Sequence, residues 1–218
     1  ADIDRGADGR ILFLADRFHY SVEGAYQFGE KQDPTVRTPV NVGSRERDIS
    51  AFGGNAKLSY LLKDRLNNQA HVVFEYLSGD DPDTTGDDEM FDILWGRWPR
   101  WSELYIYSYA RETSGKVAQL NNLMRVGAGW TTTPMKGMSL GAYYNALFAP
   151  EEVPTRTVAA ARFSQDGNFR GHMAQAVLGY TCNKHVKYHV WAELVNQDDY
   201  YAQRDLMTFF RWELSFTW

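Results

Sequence analysis

The chain has 218 residues, enough for one all-β domain, and 15% of them are aromatic, with 13 Tyr and 7 Trp. Mean hydropathy is -0.49, and no run approaches the roughly 18 apolar residues of a spanning helix; this excludes a helical membrane protein but not a barrel, whose strands need about 9–11. The net charge of -5 argues against a general nucleic-acid binder.

In chain order, Gly9–Asp16 (GRILFLAD) is a short apolar run that reads as a strand. Phe18, Tyr20, Val22, Tyr26 and Phe28 then share one face, opposite His19, Ser21, Glu23 and Gln27. Gly29–Asp48 is polar, with Pro34, Pro39 and a charge cluster at Arg45–Arg47, and reads as a long loop. Phe52, Ala56, Leu58, Tyr60 and Leu62 form the next apolar face, backed by Asn55, Lys57 and Ser59. A tight connection at Lys63–Asn68 leads to Ala70, Val72, Phe74 and Tyr76 facing outward, with His71 and Glu75 inward.

Ser78–Leu120 breaks the rhythm, running from SGDDPDTTGDDE through MFDILWGRWPRW to SELYIYSYARETSGKVAQL. Structureless loops of this length are uncommon unless functional. Its LYIYSYA piece fits either a strand or a short helix. The ribbons then resume. Met124, Val126, Ala128 and Trp130 oppose Arg125 and Gly127, and after a turn at Thr133–Gly137 Leu140, Ala142, Tyr144, Ala146 and Phe148 oppose Ser139, Tyr143 and Asn145. A second long loop, 150–170, carries Arg156, Arg162 and Arg170. Ala174, Ala176, Leu178 and Tyr180 alternate with Gln175 and Thr181. A tight turn follows at Cys182–Lys184; Cys182 is the single cysteine, cannot form an internal disulfide and sits in no metal or nucleophile motif. Val186, Tyr188, Val190, Ala192 and Leu194 alternate with Lys187, His189, Trp191 and Glu193. The last stretch, LMTFFRWELSFTW, puts Leu206, Thr208, Phe210, Trp212, Leu214, Phe216 and Trp218 on one face and Met207, Phe209, Arg211, Glu213, Ser215 and Thr217 on the other.

A soluble sandwich is possible, but an aromatic-rich terminal ribbon and short turns alternating with long loops (30–48, 78–120, 150–170) fit an antiparallel transmembrane β-barrel better. About nine strands are countable, an odd number where single-chain bacterial barrels have an even one. Nine strands alone leave two bare edges in lipid, so the expectation is the C-terminal half of a barrel of roughly 18 strands, wide enough for an aqueous channel.

YSVEGAYQFG (20–29), YLSGDD (76–81), FDILWGRWPRWSELYIY (91–107) and the aromatic C-terminus together resemble the C-terminal half of the bacterial alginate-export outer-membrane proteins. The resemblance implies a large barrel with constricting loops in the bacterial outer membrane, passing an anionic polyuronate outward. Phe216 and Trp218 resemble the closing signal that the barrel-assembly machinery recognises. The implied partners are outer-membrane lipid, that machinery, an acidic polysaccharide or small solutes, and an N-terminal half of the same barrel. No cofactor and no nucleic acid are expected.

The best functional candidate is the loop in which Trp95, Trp98 and Trp101 alternate with Arg97 and Arg100. Tryptophan faces stack on sugar rings and guanidinium forks bind carboxylates. Equally, the tryptophans anchor the loop to the wall while the arginines pair with Glu103 or Asp92. The expected lumen charges are mixed, with Lys57, Arg125, Lys187 and Arg211 against Glu23, Glu75, Glu193 and Glu213. They either set selectivity or neutralise one another, the latter especially for Arg211 and Glu213. Arg125, beside Gly127 and Gly129, has room to reach a ligand. The acidic run Asp80–Glu89 lacks the ligand spacing of a calcium hand and reads as a solvated loop. His19 and Ser21 lie two apart on one face, but spacing identifies no orienting acid, so no enzyme is expected. The function expected is a channel for an anionic polysaccharide such as alginate through a charged, aromatic-lined lumen. The alternatives are a general or sugar-selective diffusion porin and, behind it, an outer-membrane hydrolase or a surface adhesin.

Overall fold

The computed structural model describes residues 16–33, 45–84, 86–92, 101–105, 121–152 and 160–218. They form β1 (Phe18–Asp33), β2 (Arg45–Leu61), β3 (Gln69–Leu77), β4 (Asp87–Asp88), β5 (Leu123–Thr132), β6 (Met138–Phe148), β7 (Phe169–Thr181), β8 (Val186–Gln197) and β9 (Leu206–Phe216). Eight long strands lie side by side in chain order, each antiparallel to the next, and β4 runs parallel beside β2. Among the described residues the sheet is open: β1 pairs only with β2 and β9 only with β8.

Among the described residues nine strands are present, yet not the nine that the apolar runs suggested. Residues 9–15 of the first run lie outside the described residues, and the ninth strand is β4. The 29–48 stretch is strand at both ends, because the β1–β2 ladder continues from Glu30↔Asp48 to Asp33↔Arg45. The 150–170 loop is also shorter, since β7 begins at Phe169 after a 3-10 turn at Ala160–Arg162.

One end of the sheet carries tight turns with local reasons. The Asp64 carboxylate accepts the Asn68 N–H at 2.8 Å, and Lys63 and Asn67 take positive φ. Asn183 Oδ1 accepts the His185 and Val186 N–H groups at 2.8 and 3.0 Å. Gly137 has φ +82, and a Cβ there would lie 2.5 Å from the Thr181 carbonyl oxygen. The long connections gather at the other end.

Burial is inverted relative to a soluble sheet. The outward tyrosines, valines and phenylalanines lie in no dry interior: Tyr20 is 81% exposed, Phe28 79% and Phe210 70%. The buried cluster sits on the opposite, inner face at the long-loop end, where Leu77, Leu123, Leu147, Met173 and Val195 surround Leu104 and Tyr105. Above it a second cluster joins Ala149, Phe163, Tyr200 and Tyr201. Arg170 lies buried beside it, its guanidinium over the Tyr200 ring at 4.3 Å and donating to the Asn122 carbonyl at 2.9 Å.

The acidic run is not a solvated loop throughout. Lys31 and Arg47 face each other in the β1–β2 ladder, a like-charge pairing that destabilises a sheet unless neutralised. Asp80 grips Arg47 through two contacts at 2.9 and 3.2 Å, and Asp88 pairs with Lys31. Both aspartates are buried.

Candidate functional site

The inner face is built by the odd-numbered positions of β2, β3 and β5–β9, which the pleat turns away from the apolar surface. At mid-height its polar residues join into a belt. Glu75 and Arg125 are register partners on β3 and β5, and Arg125 Nε donates to the Glu75 carboxylate at 2.9 Å. Arg125 also donates to Asn145 Oδ1 at 3.2 Å, and Asn145 Nδ2 donates to Gln175 Oε1 at 3.3 Å. Gln175 Nε2 donates to Glu193 at 2.8 Å, and Trp191 Nε1 donates to the same carboxylate at 2.7 Å. On β9, Arg211 reaches Glu103 at 2.7 Å and Glu213 at 3.5 Å.

Residues 101–105 seat on this belt. Ser102 Oγ and the Glu103 and Leu104 N–H groups all donate to the Glu193 carboxylate, at 2.9, 3.0 and 2.8 Å. Ser102 Oγ also accepts the Tyr105 N–H at 3.0 Å, as a helix N-cap does. Gln175 Nε2 donates to the Trp101 carbonyl at 2.5 Å, and the Arg125 guanidinium lies 4.6 Å over the Trp101 ring. Leu104 and Tyr105 drop into the apolar cluster above the belt. The segment is therefore folded over the inner face.

Of the site residues expected from the sequence, Trp101, Glu75, Arg125, Glu193 and Arg211 come together here. Glu193 is 4% exposed and surrounded by donors. Lys57 stands apart, exposed on the inner face of β2. Trp95, Trp98, Arg97 and Arg100 lie outside the described residues, as does LYIYSYA beyond Tyr105. Phe216 and Trp218 are exposed at the end of the chain. His19 and Ser21 lie on the inner face of β1, opposite Ser59 and Lys57. Among the described residues no group of three or more His, Cys, Asp or Glu is placed to hold a metal. The sequence reading did not single out Asn145, Gln175 and Ser102. The first two stood at inward positions of their ribbons, but only the sheet register shows that they connect.

An alternating sheet with an inner polar belt and an inserted segment suits passage of a solute, and comparison with protein families decides which kind. A family model described as alginate export matches residues 4–205. The chain belongs to the alginate export family. In a search of the curated proteins none matches. Membership gives the chain a role in alginate export, within a family of transport proteins.

Proposed function

We propose that this chain forms the wall of an outer-membrane β-barrel channel that passes an anionic polysaccharide such as alginate through a charged, aromatic-lined lumen. The observation that carries this reading is the inversion of the sheet, apolar and exposed outside, with a polar belt and a seated segment inside. Hydrocarbon is the solvent in which such a sheet has no exposed grease. Bare strand edges are not tolerated there, so the free margins of β1 and β9 close on each other or on further strands of the same barrel. Phe216 and Trp218 act as the signal for the barrel-assembly machinery. Lys57, Arg125 and Arg211 attract the carboxylates, helped by Arg97 and Arg100. Trp95, Trp98 and Trp101 supply sugar-stacking faces, while Glu75 and Glu193 hold the cations and the segment in place.

The test is reconstitution of the protein in planar bilayers. The expected outcome is anion preference in the reversal potential and block by oligouronates at concentrations where neutral oligosaccharides leave the current unchanged. Equal block by both points to a general porin, and an absence of conductance sinks the proposal. Arg125→Glu removes a cation and sets two carboxylates against each other at the Glu75 contact. It is expected to weaken or reverse the anion preference; unchanged selectivity counts against the assigned role.

A further inference from the structure

Below the belt, toward the tight turns, His71, Gly129 and Tyr143 form one cross-strand row on the inner faces of β3, β5 and β6. Gly129 and Gly141 leave the wall bare at two adjacent points, and the Tyr143 ring covers both. A Cβ on Gly129 would lie 2.3 Å from Tyr143 Cδ1, and one on Gly141 would lie 2.8 Å from Cε2 and 2.9 Å from Oη. Opposite edges of the ring thus rest on two glycines whose missing side chains would all point inward. A ring held in that way lies flat against the wall and turns its other face to the interior. His71 continues the surface, its ring 6.4 Å from that of Tyr143 with 29° between the planes. It is fixed on both nitrogens, by Ser59 Oγ at 2.9 Å and Thr131 Oγ1 at 3.0 Å. Lys57 stands one inward position along β2 from Ser59, exposed and without an ion pair among the described residues.

We infer that Tyr143, laid on Gly129 and Gly141 and extended by His71, is a sugar-stacking shelf on the inner wall, and that it takes one uronate residue of the chain in transit with Lys57 as its flanking cation. The chemistry follows from the parts. The C–H face of a pyranose packs on an aromatic face, and that contact is blind to charge. The ammonium of Lys57 adds attraction only when the sugar carries a carboxylate. The inference rests on the proposed passage of an anionic polysaccharide, and it assigns a place on the wall to one residue of that polymer.

The experiment is equilibrium titration of the full-length protein, folded in detergent micelles, with oligouronates and with neutral oligosaccharides of equal length. Wild-type protein binds oligouronate more tightly than neutral sugar. Tyr143→Ala weakens both ligands about tenfold, the scale of one lost aromatic stacking contact. Tyr143→Phe keeps wild-type affinity, because the ring face remains. Lys57→Ala lowers only oligouronate binding. Tyr143→Leu, which refills the volume without a ring, behaves as Tyr143→Ala and serves where the alanine variant does not fold. Tyr143→Ala or Tyr143→Leu binding as tightly as a binding-competent wild type overturns the shelf alone. A wild-type protein that binds no oligouronate overturns the shelf together with the functional reading beneath it.

Discussion

A carboxylate buried to 4% exposure needs donors on every side, and Glu193 has five: Ser102 Oγ, the Glu103 and Leu104 N–H groups, Gln175 Nε2 and Trp191 Nε1. Three of the five belong to the inserted segment, so Glu193 fastens that segment to the wall. Removing it leaves those donors buried without a partner, at about 1–3 kcal/mol each. Glu193→Ala is therefore expected to release residues 101–105. The Glu103 and Leu104 amides should exchange with solvent at least tenfold faster, and single-channel conductance should rise. Unchanged exchange would refute the fastening role. The inward direction of Glu193 was legible in the two-residue alternation of VKYHVWAELV. Its three partners in residues 102–104 were not, because they lie some 90 residues earlier and no local pattern links the two.

The long strands were readable because each pairs an apolar outer face with a different inner one. What escaped the pattern follows other forces. The far ends of β1 and β2 carry no hydrophobic alternation, and their ladder is held by the Lys31–Asp88 and Arg47–Asp80 pairs. β4 is two residues long, below the length at which periodicity means anything. The inner apolar layer of Leu77, Leu123, Leu147, Met173 and Val195 sits where a wet lumen was expected, because Leu104 and Tyr105 cover it. Among the long connections, Glu151 just after β6 has its carboxyl raised above the usual range, first by burial and then by Asp81, Glu89, Asp80 and Glu152. A raised carboxyl pKa means that the folded state binds the proton more tightly. The resulting stability is present below the ordinary glutamate range and is lost as pH rises through the raised value. The contact in which Glu151 N donates to Asn122 Oδ1 at 2.8 Å should loosen on going from mildly acid to neutral pH. Amide exchange at Glu151 across that range measures this, and Glu151→Gln should flatten the profile.

At the scale of the whole sheet, much of the apolar side is exposed among the described residues, and the proposed lipid-facing wall and a water-facing sheet differ in how they tolerate charge there. Val72, 54% exposed on the outer side of β3, provides the test. On a water-exposed surface Val72→Arg is nearly neutral. In a bilayer the same change is expected to reduce folding stability in lipid vesicles by about 2–4 kcal/mol if it lies near the midplane, while Ser21→Arg on the inner side of β1 changes little. Equal, small effects for both would remove the lipid from the account. The fastening of residues 101–105 by Glu193 has a last consequence, for the order of assembly. The clasp is made by β7 and β8 together, through Gln175 and Glu193, which meet only when those two strands are in their native alignment. The earlier segment therefore lacks this seat until the β7–β8 hairpin is correctly registered. In the proposed barrel, a misaligned β7–β8 hairpin would leave residues 101–105 without the Gln175 and Glu193 contacts that seat them.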